Sequence, residues 1–314
     1  MGRASWNLPD TRRSLRVALT ILPVGAALAC GEGPTVVLGN REPARFRFGP
    51  PELVSELSVD AKTDNPTLTS DMLEIYFTSE RNGGQADVFV ASRPARSKPF
   101  GEIRRVDEVS TPGLETSPAI SADGLTLWVA SDRTDGQGSL DIWVAKRPSR
   151  NAPWSTPQNV EGLNSSGQDL PRPPGEHGRV MPMASDREMQ PYYQVQFASR
   201  SAPTEAFGNP RSVSELSFPG ESTVDAFLTD DGLTLFYVTG PAFGPADMYV
   251  AYRRSTSQPF EHHMPLDNLN STQDERDPWL SPDGTELYFS SDRSGHYAIY
   301  VAAARRGPAR LHSE

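Results

Sequence analysis

The chain has 314 residues, with 30 Lys and Arg against 40 Asp and Glu, a formal net charge of −10. The four Arg and one Asp of residues 1–29 leave the remainder at −13, the opposite of the basic footprint that nucleic-acid binding needs. A single cysteine, Cys30, excludes an intramolecular disulfide framework, and 29 Pro and 25 Gly between short apolar runs point to an all-β chain with many turns.

At the N-terminus, Arg12, Arg13 and Arg16 precede an apolar run from Val17 to Ala29. The run has the length of a signal-peptide core and is too short to span a bilayer comfortably. It ends in Ala27-Leu28-Ala29-Cys30-Gly31, which resembles a bacterial lipoprotein signal. The resemblance implies cleavage before Cys30, lipidation of Cys30, and anchoring at the periplasmic side of the outer membrane or at the cell surface. An ordinary cleaved signal with an incidental cysteine is the alternative. On this reading residues 1–29 are a signal peptide, 30–47 a tether, 48–304 the folded domain and 305–314 a tail.

From Phe48 onward one sentence is written five times. Each copy opens on an aromatic: Phe48, Phe100, Trp154, Phe207 and Phe260. Six residues on stand Val54, Val106, Val160, Val213 and Leu266, and three further on Leu57, Val109, Leu163, Leu216 and Leu269. The hairpin turns differ: Asp123-Gly124 and Asp283-Gly284 carry a strong two-residue signal, copy one has Ser70-Asp71-Met72, and copy three has Gly175-Glu-His-Gly178. A second turn reads Ser79-Glu-Arg81, Ser131-Asp-Arg133, Ser185-Asp-Arg187, Thr239-Gly-Pro241 and Ser291-Asp-Arg293. A strand follows in each copy, such as Asp87–Ala91, Asp141–Ala145 and Asp247–Ala251. Five phased copies of about 52 residues predict a β-propeller of four-stranded blades. Five blades are expected, with six the less favoured count. The copy ending at Ala302 lacks an outer strand, so Phe48–Leu57 is expected to supply it and close the ring.

The phrase Ser281-Pro-Asp-Gly284 through Leu287-Tyr-Phe289, Ser291-Asp-Arg293 and Ile299-Tyr-Val301 resembles the WD40-like propeller repeat called PD40, found in the TolB propeller and other envelope proteins. The resemblance covers residues 60–304 and implies a non-catalytic binding or scaffolding module at the cell envelope, recognising a protein, peptide or glycan. TolB-type propellers have six blades, one more than the copies counted here.

The Ser-Asp-Arg triplets recur in most copies and are read as structural, the Asp capping its turn. The site candidates stand at Asn65, Ser117, Leu170, Asp225 and Asp277, just ahead of each innermost strand, where a propeller lines one channel mouth. The position varies between copies, as a site does. Arg276 is beside Asp277, and Glu115, Glu221 and Glu275 are near. Asn65, Asp225, Arg276 and Asp277 are therefore the ligand-binding candidates. Two carboxylates from adjacent blades also suit a metal, or general acid and base work on a sugar, so a glycoside hydrolase is the alternative function. No catalytic residue, cofactor or metal is assigned, and a monomer is expected. There is no Gly-x-Ser-x-Gly elbow and no P-loop, and the adjacent His262-His263 project to opposite faces of a strand.

Overall fold

The computed structural model describes residues 46–188, 192–241 and 244–304. The predicted signal, Cys30, most of the tether and the tail lie outside them. The chain is all-β: five four-stranded antiparallel sheets form a ring, a five-bladed β-propeller.

Strand β1 (Glu52–Leu53) precedes blade 1, which holds β2 (Thr63–Leu68), β3 (Glu74–Ser79), β4 (Asp87–Ser92) and β5 (Gly101–Arg105). Blade 2 holds β6 (Glu115–Ile120), β7 (Thr126–Ser131), β8 (Asp141–Lys146) and β9 (Gln158–Asn159). Blade 3 holds β10 (Asp169–Pro171), β11 (Val180–Ser185), β12 (Gln194–Ser199) and β13 (Arg211–Ser212). Blade 4 holds β14 (Glu221–Leu228), β15 (Thr234–Pro241), β16 (Asp247–Tyr252) and β17 (Glu261–Pro265). Blade 5 takes β18 (Glu275–Leu280), β19 (Glu286–Ser291) and β20 (Ala298–Ala303) from the end of the chain and β1 from its start. The expected closure is thus present: Glu52 faces Val301, Leu53 faces Tyr300, and Phe48 bridges Ala304. Closure pairs the edge that an open fan of strands would leave exposed.

The middle strands read as continuous apolar runs because neighbouring blades cover both faces. Ile75, Tyr76 and Phe77 in β3 and Leu235 and Phe236 in β15 are fully buried. The spaced apolar pair of each copy makes one recurring turn, in which the amide of Leu57, Val109, Leu163, Leu216 or Leu269 donates to the carbonyl three residues earlier. The opening aromatic has a shared role in copies two to five. Arg93 stacks on Phe100, Arg147 on Trp154, Arg200 on Phe207 and Arg253 on Phe260, at 4.1–4.5 Å.

The Ser-x-Arg turns lock blades 1, 2, 3 and 5 to the crossovers that lead into them. Arg133 donates through Nε to Ser131 and through Nη2 to the Val109 carbonyl and Glu115. Arg187 makes the same set with Ser185, Leu163 and Asp169, and Arg293 with Ser291, Leu269 and Glu275. Arg81 reaches Ser79 and Leu57. The triplet Asp takes a separate task, accepting the backbone N–H of Leu114, Gln168 or Asp274. Copy four has lost the Arg, and there the Thr223 hydroxyl donates to the Leu216 carbonyl instead, at 2.8 Å.

Candidate functional site

The position that holds Asn65, Ser117, Asp225 and Asp277 lies within the innermost strands rather than just ahead of them. All four residues have a left-handed backbone, with φ of 54°, 48°, 54° and 59°. At each one the register with the second strand shifts, between Asp64 and Thr67, Thr116 and Ala119, Val224 and Phe227, and Arg276 and Trp279. Each is a β-bulge, which re-aims a side chain. Asn and Asp tolerate this conformation better than most residues. The choice of residue type is therefore set partly by the bulge itself.

These side chains meet on the channel axis around a residue that sequence reasoning missed. Arg172 follows the short β10, is 3% exposed, and reaches the centre from blade 3. Its Nη1 donates to Asn65 Oδ1 at 3.1 Å and to Asp277 Oδ1 at 3.1 Å, and lies 3.8 Å from Asp225 Oδ1. The Asn65 backbone N–H donates to Asp277 Oδ2 and to Ser290 Oγ, both at 3.1 Å, and Ser117 Oγ donates to Asn65 Oδ1 at 3.3 Å. The Asp277 carboxylate lies close enough to Asp225 to disfavour its charge. Leu170, the aligned position of blade 3, has no bulge: β10 stays in register with β11. The sequence signal for Arg172 was its setting, a basic residue among Pro171, Pro173 and Pro174 where the other copies place an innermost strand.

Burial pushes the Asp225 carboxyl up to about 7, helped by Asp277 and opposed by Arg172 and Arg276. Asp64 is raised too, by burial first, against the pull of Lys62 at 2.9 Å. Arg276 pairs with Asp274 at 2.7 Å. Burial lowers its pKa, but the carboxylates of Asp225 and Asp274 outweigh this and hold it raised. The three glutamates that looked close to the site are used elsewhere. Glu115 and Glu275 belong to the Ser-x-Arg locks, and Glu221 accepts from Thr239. Among the described residues no cluster of three or more His, Cys, Asp and Glu is placed to hold a metal.

Three residues further along the innermost strands, roughly 10 Å away at 3.3 Å per residue, the channel opens into a cavity of about 570 Å³. All five blades line it. Its floor is apolar, from Leu68, Ile120, Phe227, Trp279 and Leu280, with Pro173 and Pro174 between. Asp230, Asp231 and Asp283 stand on its rim. The accessible concavity is therefore separate from the polar cluster, which lies beneath it as a plug.

No protein-family model matches the chain, and no curated protein matches its sequence. Solved structures do match. An α-L-arabinofuranosidase from Podospora anserina, solved with cellotriose, is 12% identical with a TM-score of 0.54, covering 85% of this chain and 99% of its own. An endo-arabinase from Bacteroides thetaiotaomicron is 14% identical with a TM-score of 0.53, covering 85% and 100%. TolB from Acinetobacter baumannii is 15% identical with a TM-score of 0.50, covering 80% of this chain and 56% of its own, so the chain spans little more than half of that protein's length. At these identities the likeness is one of fold. The fold is shared by TolB and by sugar-cleaving enzymes alike.

Proposed function

We propose that this protein is a non-catalytic binding propeller of the PD40 type, exported and anchored through Cys30, that takes its ligand in the five-blade cavity. The observation that carries the reading is the state of the two channel carboxylates. A glycosidase holds its pair about 5–9.5 Å apart, with the sugar between them. Here Asp225 and Asp277 both close on one guanidinium nitrogen of Arg172, at 3.8 and 3.1 Å, so a buried cation and not a sugar stands between them. The cavity itself offers an apolar anchor site with a carboxylate rim. That chemistry suits a peptide or protein segment with an apolar side chain beside a Lys or Arg. No helix among the described residues is long and apolar enough to cross a membrane, and the anchor reading rests on the lipoprotein-like sequence at Cys30.

The test pairs two sets of variants. Replacing Asp230 and Asp231 together by Lys is expected to weaken binding of short basic peptides bearing one aromatic residue about tenfold, as the rim charge reverses. Asp225→Asn is expected to leave that binding unchanged. Cleavage of arabinan by the wild type that disappears in Asp225→Asn would overturn the reading in favour of a glycoside hydrolase.

A further inference from the structure

Blades 1 to 4 each carry an arginine stacked on the aromatic that opens the next copy, and two of these four arginines also meet a carboxylate. Arg147 of blade 2 finds one in Glu74, the first residue of β3 in blade 1, at 2.6 Å. Arg253 of blade 4 lies 3.4 Å from Glu176 of blade 3. In blade 2 the place of Glu74 is taken by Thr126, the first residue of β7. Arg200 of blade 3 accordingly has no carboxylate within ion-pair distance among the described residues. Its Nε donates to the Gly178 carbonyl and its Nη1 to the Glu205 carbonyl, both neutral acceptors. Burial lowers its pKa with no acid opposing it.

Arg200 also lines a second cavity, of about 350 Å³, on the seam between blades 3 and 4. Arg179 and Arg253 line it as well, with Ser199, Ser201 and Thr256 as hydroxyl donors and Phe197 as an apolar wall. Glu176 is the single acid there, set 3.6 Å from Arg179 and 3.4 Å from Arg253. Three guanidinium groups against one carboxylate leave this cavity with a charge of +2 in a chain of net −10. Arg179 is particular to blade 3. The other copies place Leu73, Leu125, Leu233 and Thr285 at that position, ahead of the second strand.

We propose that this cavity binds a tetrahedral dianion, the phosphoryl or sulfuryl group of a small molecule or the free ion. Forked guanidinium donors suit such an oxyanion, and hydroxyls complete its shell. The site is independent of the five-blade cavity and of the ligand proposed for it.

Isothermal titration of the full-length protein with inorganic phosphate at low ionic strength tests the site. The expected result is saturable one-to-one binding, weakened about tenfold in Arg179→Gln, the loss typical of one charge-assisted hydrogen bond. Arg179 is exposed, so that variant keeps the fold. Ser201→Glu is expected to abolish binding. Arg150→Gln removes an arginine that pairs with Asp71 outside the cavity and is expected to change nothing. Glucose 6-phosphate bound more tightly than phosphate identifies an ester, equal affinity the free ion, and either supports the site. Absence of saturable binding by the wild type overturns the proposal, as does an equal loss in Arg150→Gln and Arg179→Gln.

Discussion

Blade 5 and blade 3 share their middle hairpin. Glu286–Ser291 pairs with Ala298–Ala303 over six positions, and Val180–Ser185 pairs with Gln194–Ser199 over six. Both keep the lock that ties them to the preceding crossover, Arg293 on Glu275 and Arg187 on Asp169. The innermost strands differ. In blade 5 it runs six residues, bulges at Asp277 and presents Trp279 to the cavity floor. In blade 3 it stops after Asp169–Pro171, and the chain turns Arg172 into the channel. Two middle strands and a lock are thus enough to seat a blade. The innermost strand of one blade was free to diverge, and that divergence brought a cation to a pair of buried carboxylates from two other blades.

The largest test of this contrast is Arg172→Leu. It removes the one guanidinium within 4 Å of both buried Asp277 and Asp225, and is expected to cost about 3–5 kcal/mol in urea unfolding at pH 7. A loss below 1 kcal/mol, on the order of a surface pair, would show that the channel is hydrated and that Arg172 is not its keystone. A second test titrates the same cluster. The folded chain holds the Asp225 proton up to about pH 7, whereas the unfolded chain releases it at about pH 4. Between these values the folded state binds more protons, so stability falls as pH rises and levels off above about 7. Asp225→Asn is expected to flatten this slope and to exceed the wild type at pH 8 by about 1–3 kcal/mol. A slope that survives the substitution assigns the proton elsewhere, with Asp64 the next group to examine.

The ring was legible in the sequence because its parts repeat. The blade count, the closing strand before Leu57 and the structural use of Ser-x-Arg followed from phased copies, and the structure has all three. The channel cluster was half legible. Asn65, Asp225 and Asp277 do converge, but their variation between copies also reflects a bulge that favours residues tolerant of φ near 55°. Arg172 was invisible for a physical reason: it belongs to the copy that departs from the repeat, and alignment to the repeat points at Leu170. The turn of blade 1 shows the reverse case. Met72 has φ of 60° where copies two to five have Gly, a shape imposed by the surrounding blade and not by its own preference.

Smaller effects concern the wear on blade 3 itself. Gln196 occupies the place of Phe89, Trp143, Tyr249 and Tyr300, is fully buried, and has neither amide atom hydrogen-bonded. Gln196→Leu removes two unpaired polar atoms at similar volume and is expected to stabilise the fold by about 1–2 kcal/mol. No gain in thermal unfolding would indicate a water bound beside Gln196.

The smallest effect tests whether blade 3 also lost a latch. Arg96 of blade 1 pairs with Asp283 of blade 5, and Arg150 of blade 2 with Asp71 of blade 1. Each arginine stands three residues after the stacked one, Arg93 or Arg147. Three residues after Arg200 the chain has Pro203, and the matching acid, Asp123 of blade 2, has no ion-pair partner among the described residues. Pro203→Arg rebuilds the pair. The existing latches are partly exposed, with side chains 29–48% accessible, so the gain is expected to be about 0.3–1 kcal/mol and to fade in high salt. The double variant Pro203→Arg with Asp123→Asn isolates the pair from the loss of proline rigidity. If the gain persists without Asp123, the new arginine acts through something other than the seam, and the absence of a latch is not what separates the seam of blades 2 and 3 from the two latched seams before it.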